Sequence, residues 1–322
     1  MNYKEENIKR RIDRFQRLGL LAFILVIGGL FSILSPYFLT RENLINILVQ
    51  SAVPIIAAVG MTLVIGTAGI DLSIGSILAL SSIIMAWTMK YEMGVVECIA
   101  LGILSGAAMG SLNGFGIAIL GLSPFIVTLG TAGIFRAIAL ILTESRPIYG
   151  MPLGFRIIGM DRWGTVPLSA VLALLVAGAG YLTIKWTRFG ANARAVGDNP
   201  EGAYRMGVPV AGTLISTYAL SGSTAALAGI IVTARLNTAE AIAGLGMELE
   251  AIAAVVMGGT SFFGGEASIG GTLLGALIIG ILGNGLTMIN VPSYYQQLVI
   301  GVVFILAVLA DRMRRKGIIN KH

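Results

Sequence analysis

Few residues of this chain could do chemistry. Asp71 stands in GTAGIDLSIGS (Gly66 to Ser76), between two apolar stretches and among glycines and serines, the composition of a broken or re-entrant helix. An ionisable group there is costly without a task, and two readings stand side by side: a proton or ion site, or a carboxylate near the cytoplasmic interface bonding backbone amides of the next helix. Glu248 and Glu250 open MELEAIAAVVMGGTSFFGGEASIGGTLLGA (Met247 to Ala276), where a helix N-terminus favours carboxylates, and Glu266 lies in its glycine-rich turn. The GxxxxGK[ST] pattern of a phosphate-cradling loop occurs nowhere, so the chain is expected to bind no nucleotide or other cofactor and to catalyse nothing. Cys98, the one cysteine, sits beside an apolar run and reads as a small packing residue. His322, the one histidine, is the last residue, so no imidazole is placed for a proton relay, a metal site or a Ser/His/Asp arrangement.

Whatever positions these residues is a membrane. The chain is 56% hydrophobic and 12% charged, with a mean hydropathy of +0.88, whereas soluble domains carry about 25% charged residues. A net charge of +6 could suggest nucleic acid, but the charges lie where a bilayer would put them. Fifteen of the 22 lysines and arginines fall in three segments: six in residues 1–17, five in 312–322, and Lys185, Arg188, Arg194 and Arg205 around the central polar block TRFGANARAVGDNPEGAYRMGVP (Thr187 to Pro209). By the positive-inside bias all three are cytoplasmic. The apolar stretch after the basic N-terminus runs into LSPYF rather than a small-residue cleavage site, so a retained first helix is expected.

About 20 apolar residues cross the hydrocarbon core. Stretches of that kind lie near 18–36, 44–66, 95–120, 124–143, 166–186, 212–234, 272–290 and 294–311, with weaker ones near 74–89 and 248–260. The expectation is an all-α polytopic membrane protein of about ten crossings, both termini cytoplasmic. It divides into a basic segment 1–17, one transmembrane domain 18–311 with a cytoplasmic loop at 187–210, and a basic tail 312–322. The longest connection on the other side, Glu144 to Pro167, should lie along the outer surface. GTAGI occurs at Gly66 to Ile70 and at Gly130 to Ile134, which reads as chance. Gly102, Gly106, Gly110 and Gly114 recur every fourth residue, a face suited to close helix packing. In the central block Asn199 can cap a short helix, Pro200 suits its first position, Glu201 its positive end, and Gly207 ends it.

The ordered set GIDLSIGS, SPFIVTLGT, TRFG with AVGDNPEGA, ALSGSTAALAGI, AIAAVVMGGTS, GGEASIGGTLLGALIIG and YYQQLVIGVVFILAVLADR, spread over residues 40–316, resembles the ribose, xylose and arabinose permeases of bacterial ABC importers. The resemblance implies a type II-like ten-helix permease of the inner membrane that imports a pentose-like monosaccharide. It further implies pairing with a second permease copy or a homologue, docking of ABC ATP-binding subunits, and delivery of sugar by an extracytoplasmic binding protein. The family's coupling loop falls on Gly197, Asn199, Gly202, Ala203, Gly207 and Val208, which assigns contact with the ATPase to Asn199, Glu201, Ala203, Arg205 and Gly207. Gly202 stands where alanine is usual, Tyr204 where an arginine often follows, and Glu250 where aspartate is commoner, while Asp71 and Glu266 match; Asp71, Glu250 and Glu266 take structural or gating roles. Asn113, Phe125, Thr128 and Asn284, polar or aromatic within expected spans, are candidates for the sugar's path. The alternatives are a permease for a nucleoside or furanosyl signalling molecule, an ion-coupled transporter using Asp71 and Glu250, or, least favoured, a membrane enzyme.

Overall fold

The structure, a computed structural model, describes the backbone of residues 3–91 and 93–319 and the side chains of 18–91, 93–309 and 312. The side chains of the basic segment 1–17, those of the tail beyond Arg312, and His322 lie outside the described residues. Thirteen helices follow one another: α1 (Tyr3–Leu34), α2 (Arg41–Gly66), α3 (Ile74–Met89), α4 (Val95–Ala118), α5 (Pro124–Thr143), α6 (Leu153–Met160), α7 (Leu168–Trp186), α8 (Arg188–Asp198), α9 (Pro200–Arg205), α10 (Val210–Leu236), α11 (Met247–Met257), α12 (Ile269–Met288) and α13 (Ser293–Ile319). Two antiparallel ribbons complete the described residues: β1 (Ile148–Tyr149) pairs with β4 (Thr238–Ala239), and β2 (Arg162–Trp163) with β3 (Val166–Pro167).

Each of the ten expected apolar stretches is a helix. Six of them, α2, α4, α5, α7, α10 and α12, are long and apolar enough to cross a membrane unaided. The apolar parts of α1, α3 and α13 are shorter, and α11 has only 11 residues. Of the remaining helices, α9 is the short helix expected between Asn199 and Gly207, whereas α6, in the long connection, and α8, in the central block read as a loop, were not anticipated. GTAGI forms the end of α2 and a turn with Ala68 at φ +58° in its first copy, but the middle of α5 in its second, so the two share no structure.

The most extensive contact between helices is that of α4 with α10, and the glycine stripe makes it. A Cβ on Gly106 would overlap the Gly222 carbonyl, one on Gly110 the Tyr218 carbonyl, and one on Gly114 would stand 2.6 Å from the Ile215 Cα, while Gly102 faces Met85 and Ile230. Ascending numbers on α4 meet descending numbers on α10, so the two helices are antiparallel with backbones nearly touching. Lipid offers no hydrophobic drive between helices, so this close van der Waals approach is what holds the pair. The partner of the stripe is thus a helix of the same chain.

Two helices begin inside the bundle. Helix α3 starts after a turn whose Asp71 reaches Ser221, and then climbs beside α10 so that Leu78 and Ser82 meet Gly229. Helix α10 continues to Leu236, where Asn237 at φ +58° ends it. After β4 the chain turns back down along α3 until Gly244, at φ +71°, lies against Gly75, the second residue of α3. Helix α11 therefore starts well short of the level that the end of α10 reaches, and segment 237–246 covers the difference without helix. Its first turn is capped by Gly246 at φ +83°.

Gly110→Leu should destabilise the isolated chain by about 3 kcal/mol or prevent folding, since the obstacle is backbone and cannot move aside. Gly133→Ala, at a helical position where a Cβ meets nothing within 4 Å, should be neutral or stabilising by up to about 1 kcal/mol. Thermal unfolding of the purified chain in detergent compares them.

Candidate functional site

The central block forms a built protrusion. Thr187 caps α8 by accepting from the Gly190 N–H at 3.1 Å, and the inward face of α8 consists of Gly190, Ala193, Val196 and Gly197. Helix α9 follows at once. Asn199 Oδ1 accepts from the Gly202 N–H at 2.9 Å, Pro200 occupies the first helical position, and Glu201 pairs with Arg205 at 2.5 Å on the exposed face. Gly207, at φ +82°, closes the helix: its N–H reaches the Tyr204 carbonyl at 2.9 Å and the Val208 N–H reaches Ala203 at 3.0 Å, the paired bonds of a Schellman stop. Ala203 is only 6% exposed and faces its own chain, whereas Tyr204 and Met206 are 72% and 86% exposed. Of the expected contact residues, then, Asn199 and Gly207 shape the helix, Glu201 and Arg205 line its outer face, and Ala203 seats it. The large apolar side chains offered outward are Tyr204 and Met206, which sequence reasoning passed over because the resemblance pointed to the small residue.

Behind this protrusion lies a buried polar cluster. Asp71, with no exposed surface, accepts from the Ser73 N–H at 3.0 Å, the Ser73 hydroxyl at 2.6 Å and the Ser221 hydroxyl at 2.8 Å. Asn113 donates to Ser73 Oγ at 2.8 Å, Tyr218 donates to the Ile70 carbonyl at 3.1 Å, and Thr128 reaches the same carbonyl at 3.4 Å while bonding Pro124. This is the arrangement of the second reading of Asp71, a carboxylate at the start of the next helix, with Ser221 of α10 added. Asn113 and Thr128 thus come together with Asp71 through the turn 67–73, and both are fully buried.

The other candidates lie apart. Asn284 exchanges two hydrogen bonds with Asn43, at 2.9 and 3.0 Å, both side chains being buried between α2 and α12. Phe125 is half exposed at the start of α5. Glu250 is partly buried in the first turn of α11, and Glu266 partly buried in the turn before α12. Cys98 is fully buried, as its packing role requires. The residue sequence reasoning missed is Arg136. It sits well inside α5, and its Nη1 donates to the carbonyls of Ala241 and Ala243, the latter at 2.8 Å. An arginine within an apolar span was the available signal.

A family profile described as "Branched-chain amino acid transport system / permease component" matches residues 43–308. The chain belongs to this permease family. The ribose import permease protein of Bacillus subtilis is 43% identical over 303 residues, covering 93% of this chain and 94% of that protein. The D-allose transport system permease protein of Escherichia coli is 39% identical over 306 residues, 94% of this chain and 93% of that one. The galactose/methyl galactoside import permease protein of Salmonella typhimurium is 36% identical over 316 residues, 92% and 94% of the two chains. No solved structure matches the chain at a significant level. The helices and the family together make this a multi-pass membrane permease. Its relatives are named for three sugars and the family for another class of solute, so the permease is fixed before its cargo.

The Asn43–Asn284 pair tests whether Asn284 serves structure or path. Asn284→Leu alone leaves a buried amide unpaired and should cost about 1–3 kcal/mol, while Asn43→Leu with Asn284→Leu should recover only part of it, because the paired amides go together but the Phe38 carbonyl loses its Asn43 donor. Unfolding midpoints of the two single variants and the double variant give the coupling. Transport that returns together with stability in the double variant assigns the pair to structure.

Proposed function

We propose that the chain is the membrane subunit of a binding-protein-dependent ABC importer that carries a monosaccharide, pentose-like in size, across the bacterial inner membrane, with ATP hydrolysed on separate subunits. The observation that carries this reading is identity of 36–43% along more than nine-tenths of the chain to permeases named for ribose, allose and galactose. In this reading the polypeptide crosses ten times. Residues 1–17, the α8–α9 protrusion within 187–210, and the tail 312–322 all lie in the cytoplasm, with 18–311 as one transmembrane domain. An even number of crossings and three basic segments on one side support that orientation.

The partners follow from the work to be done. An ABC ATP-binding subunit receives α9, whose Tyr204 and Met206 fill a groove while the capped and stopped helix behaves as a rigid lever. An extracytoplasmic sugar-binding protein delivers the cargo on the α6 side. A second permease copy, or a homologue, closes the path. Specificity resides mainly in the binding protein, so the passage through this chain is moderately polar and binds weakly, since tight binding would hinder release. The chain itself binds no nucleotide and needs no cofactor, consistent with the missing phosphate-cradling motif.

Membrane vesicles holding the permease, its ATPase and its binding protein should take up ribose, allose or galactose only with ATP and binding protein, and should ignore proton and sodium ionophores. Leucine and a nucleoside belong in the panel, because the family description names branched-chain amino acids. Uptake of leucine alone, or uptake driven by an ion gradient, would overturn the reading. Within the same vesicles Tyr204→Arg and Met206→Arg should lower uptake and ATPase copurification with normal abundance of the permease. Ala203→Arg should instead lower abundance, because the side chain points into its own chain.

A further inference from the structure

Segment 240–246 is non-helical backbone at membrane depth. It follows the far end of α10, runs back along α3 to Gly75, and hands over to α11 there. Such backbone is tolerated in a bilayer in two settings only, buried in protein or lining water, since lipid cannot satisfy its polar groups. One side of the segment meets the first condition. Gly244 packs on Gly75 and Leu78, and Arg136 spends a guanidinium nitrogen on the Ala241 and Ala243 carbonyls. The other side does not: Ile242 is 58% exposed and Leu245 63%. A charged side chain inside α5 is costly by itself, and here it is held where it supplies donors to carbonyls that no helix or strand pairs.

We propose that segment 240–246 forms a wall of the sugar's path, with Arg136 as the positioning residue that holds its backbone open to water. This rests on the importer reading and adds to it the stretch of chain the cargo passes. The expected path residues Asn113 and Thr128 are sealed in the Asp71 cluster, whereas Ile242 and Leu245 are exposed beside non-helical backbone. The segment offers backbone amides and carbonyls between apolar side chains, a lining that exchanges weak hydrogen bonds with hydroxyls without holding them.

The test is thiol reactivity in membranes carrying the whole transporter. In a Cys98→Ala background, Ile242→Cys and Leu245→Cys are compared with Leu104→Cys and Leu175→Cys, which are exposed apolar positions in the middle of α4 and α7. The probe is a charged, membrane-impermeant methanethiosulfonate. Only the thiolate reacts and it forms only in water, so the two segment positions should react at least about tenfold faster than the controls. Modification should also abolish most uptake of a transported sugar. Reaction no faster than the controls, or fast reaction that leaves uptake intact, overturns the proposal. If unmodified membranes take up none of the sugars, the importer reading fails on its own, and the comparison of rates still decides whether the segment meets water.

Discussion

A peptide carbonyl or amide left without a partner in hydrocarbon costs several kcal/mol, and water is not there to replace it. Helices meet the demand internally, so the breaks show where the fold has had to solve it otherwise. At the turn 67–73, Tyr218 and Thr128 share the Ile70 carbonyl and Ser73 and Ser221 surround the Asp71 carboxylate. At 237–246 the solutions are the β1–β4 ribbon and Arg136. Both breaks depend on α10 standing where it does. Its Tyr218 and Ser221 reach the first, its far end launches the second, and the glycines of α4 are what let it stand so close.

The intramembrane charges fall into place by the same reasoning. Asp71 lies two residues before the N-cap of α3, where backbone N–H groups and the positive end of the helix favour an anion. Glu248, in the first turn of α11, brings its carboxylate beside Gly75 at the start of α3. Two helix N-termini that meet inside the bundle each come with an acidic side chain, and Arg136 of α5 lies close enough to Glu248 for the two charges to interact. Asp71 is enclosed by the Ser73 amide and the Ser73 and Ser221 hydroxyls and has no exposed surface.

Much of this was legible in the chain because it is local. The ten apolar stretches, the cap at Asn199, the stop at Gly207 and the packing face of Gly102 to Gly114 are each read from neighbours in sequence, and each appears within a few residues of where it was expected. What stayed hidden joins distant positions. Nothing near Asn284 names Asn43, 241 residues away, as the group its amide pairs with. Helix α8 was masked by its arginines: its buried Gly190, Ala193, Val196 and Gly197 are spaced for a helix face, but the charge between them reads as loop. The short length of α11 was visible as weak hydropathy near 248–260. That the stretch leading into α11 is a run of turns could not be seen without Gly75 and Arg136.

The distance between the protrusion and the buried cluster is bridged by glycine. A Cβ on Gly197, at the end of α8, would overlap the Gly66 carbonyl at the end of α2 and stand 2.7 Å from the Gly265 nitrogen. Gly265 in turn donates to that same Gly66 carbonyl at 3.1 Å, and Gly264 lies against both Gly197 and Ala68. Three segments thus meet backbone to backbone with no side chain between them to absorb a displacement: the helix carrying α9, the end of α2 just before the Asp71 turn, and the turn joining α11 to α12. Close-packed contacts of this kind transmit strain instead of yielding to it. The base of the protrusion that carries Tyr204 and Met206 is therefore in direct backbone contact both with the end of α2 that leads into the Asp71 turn and with the turn that follows α11.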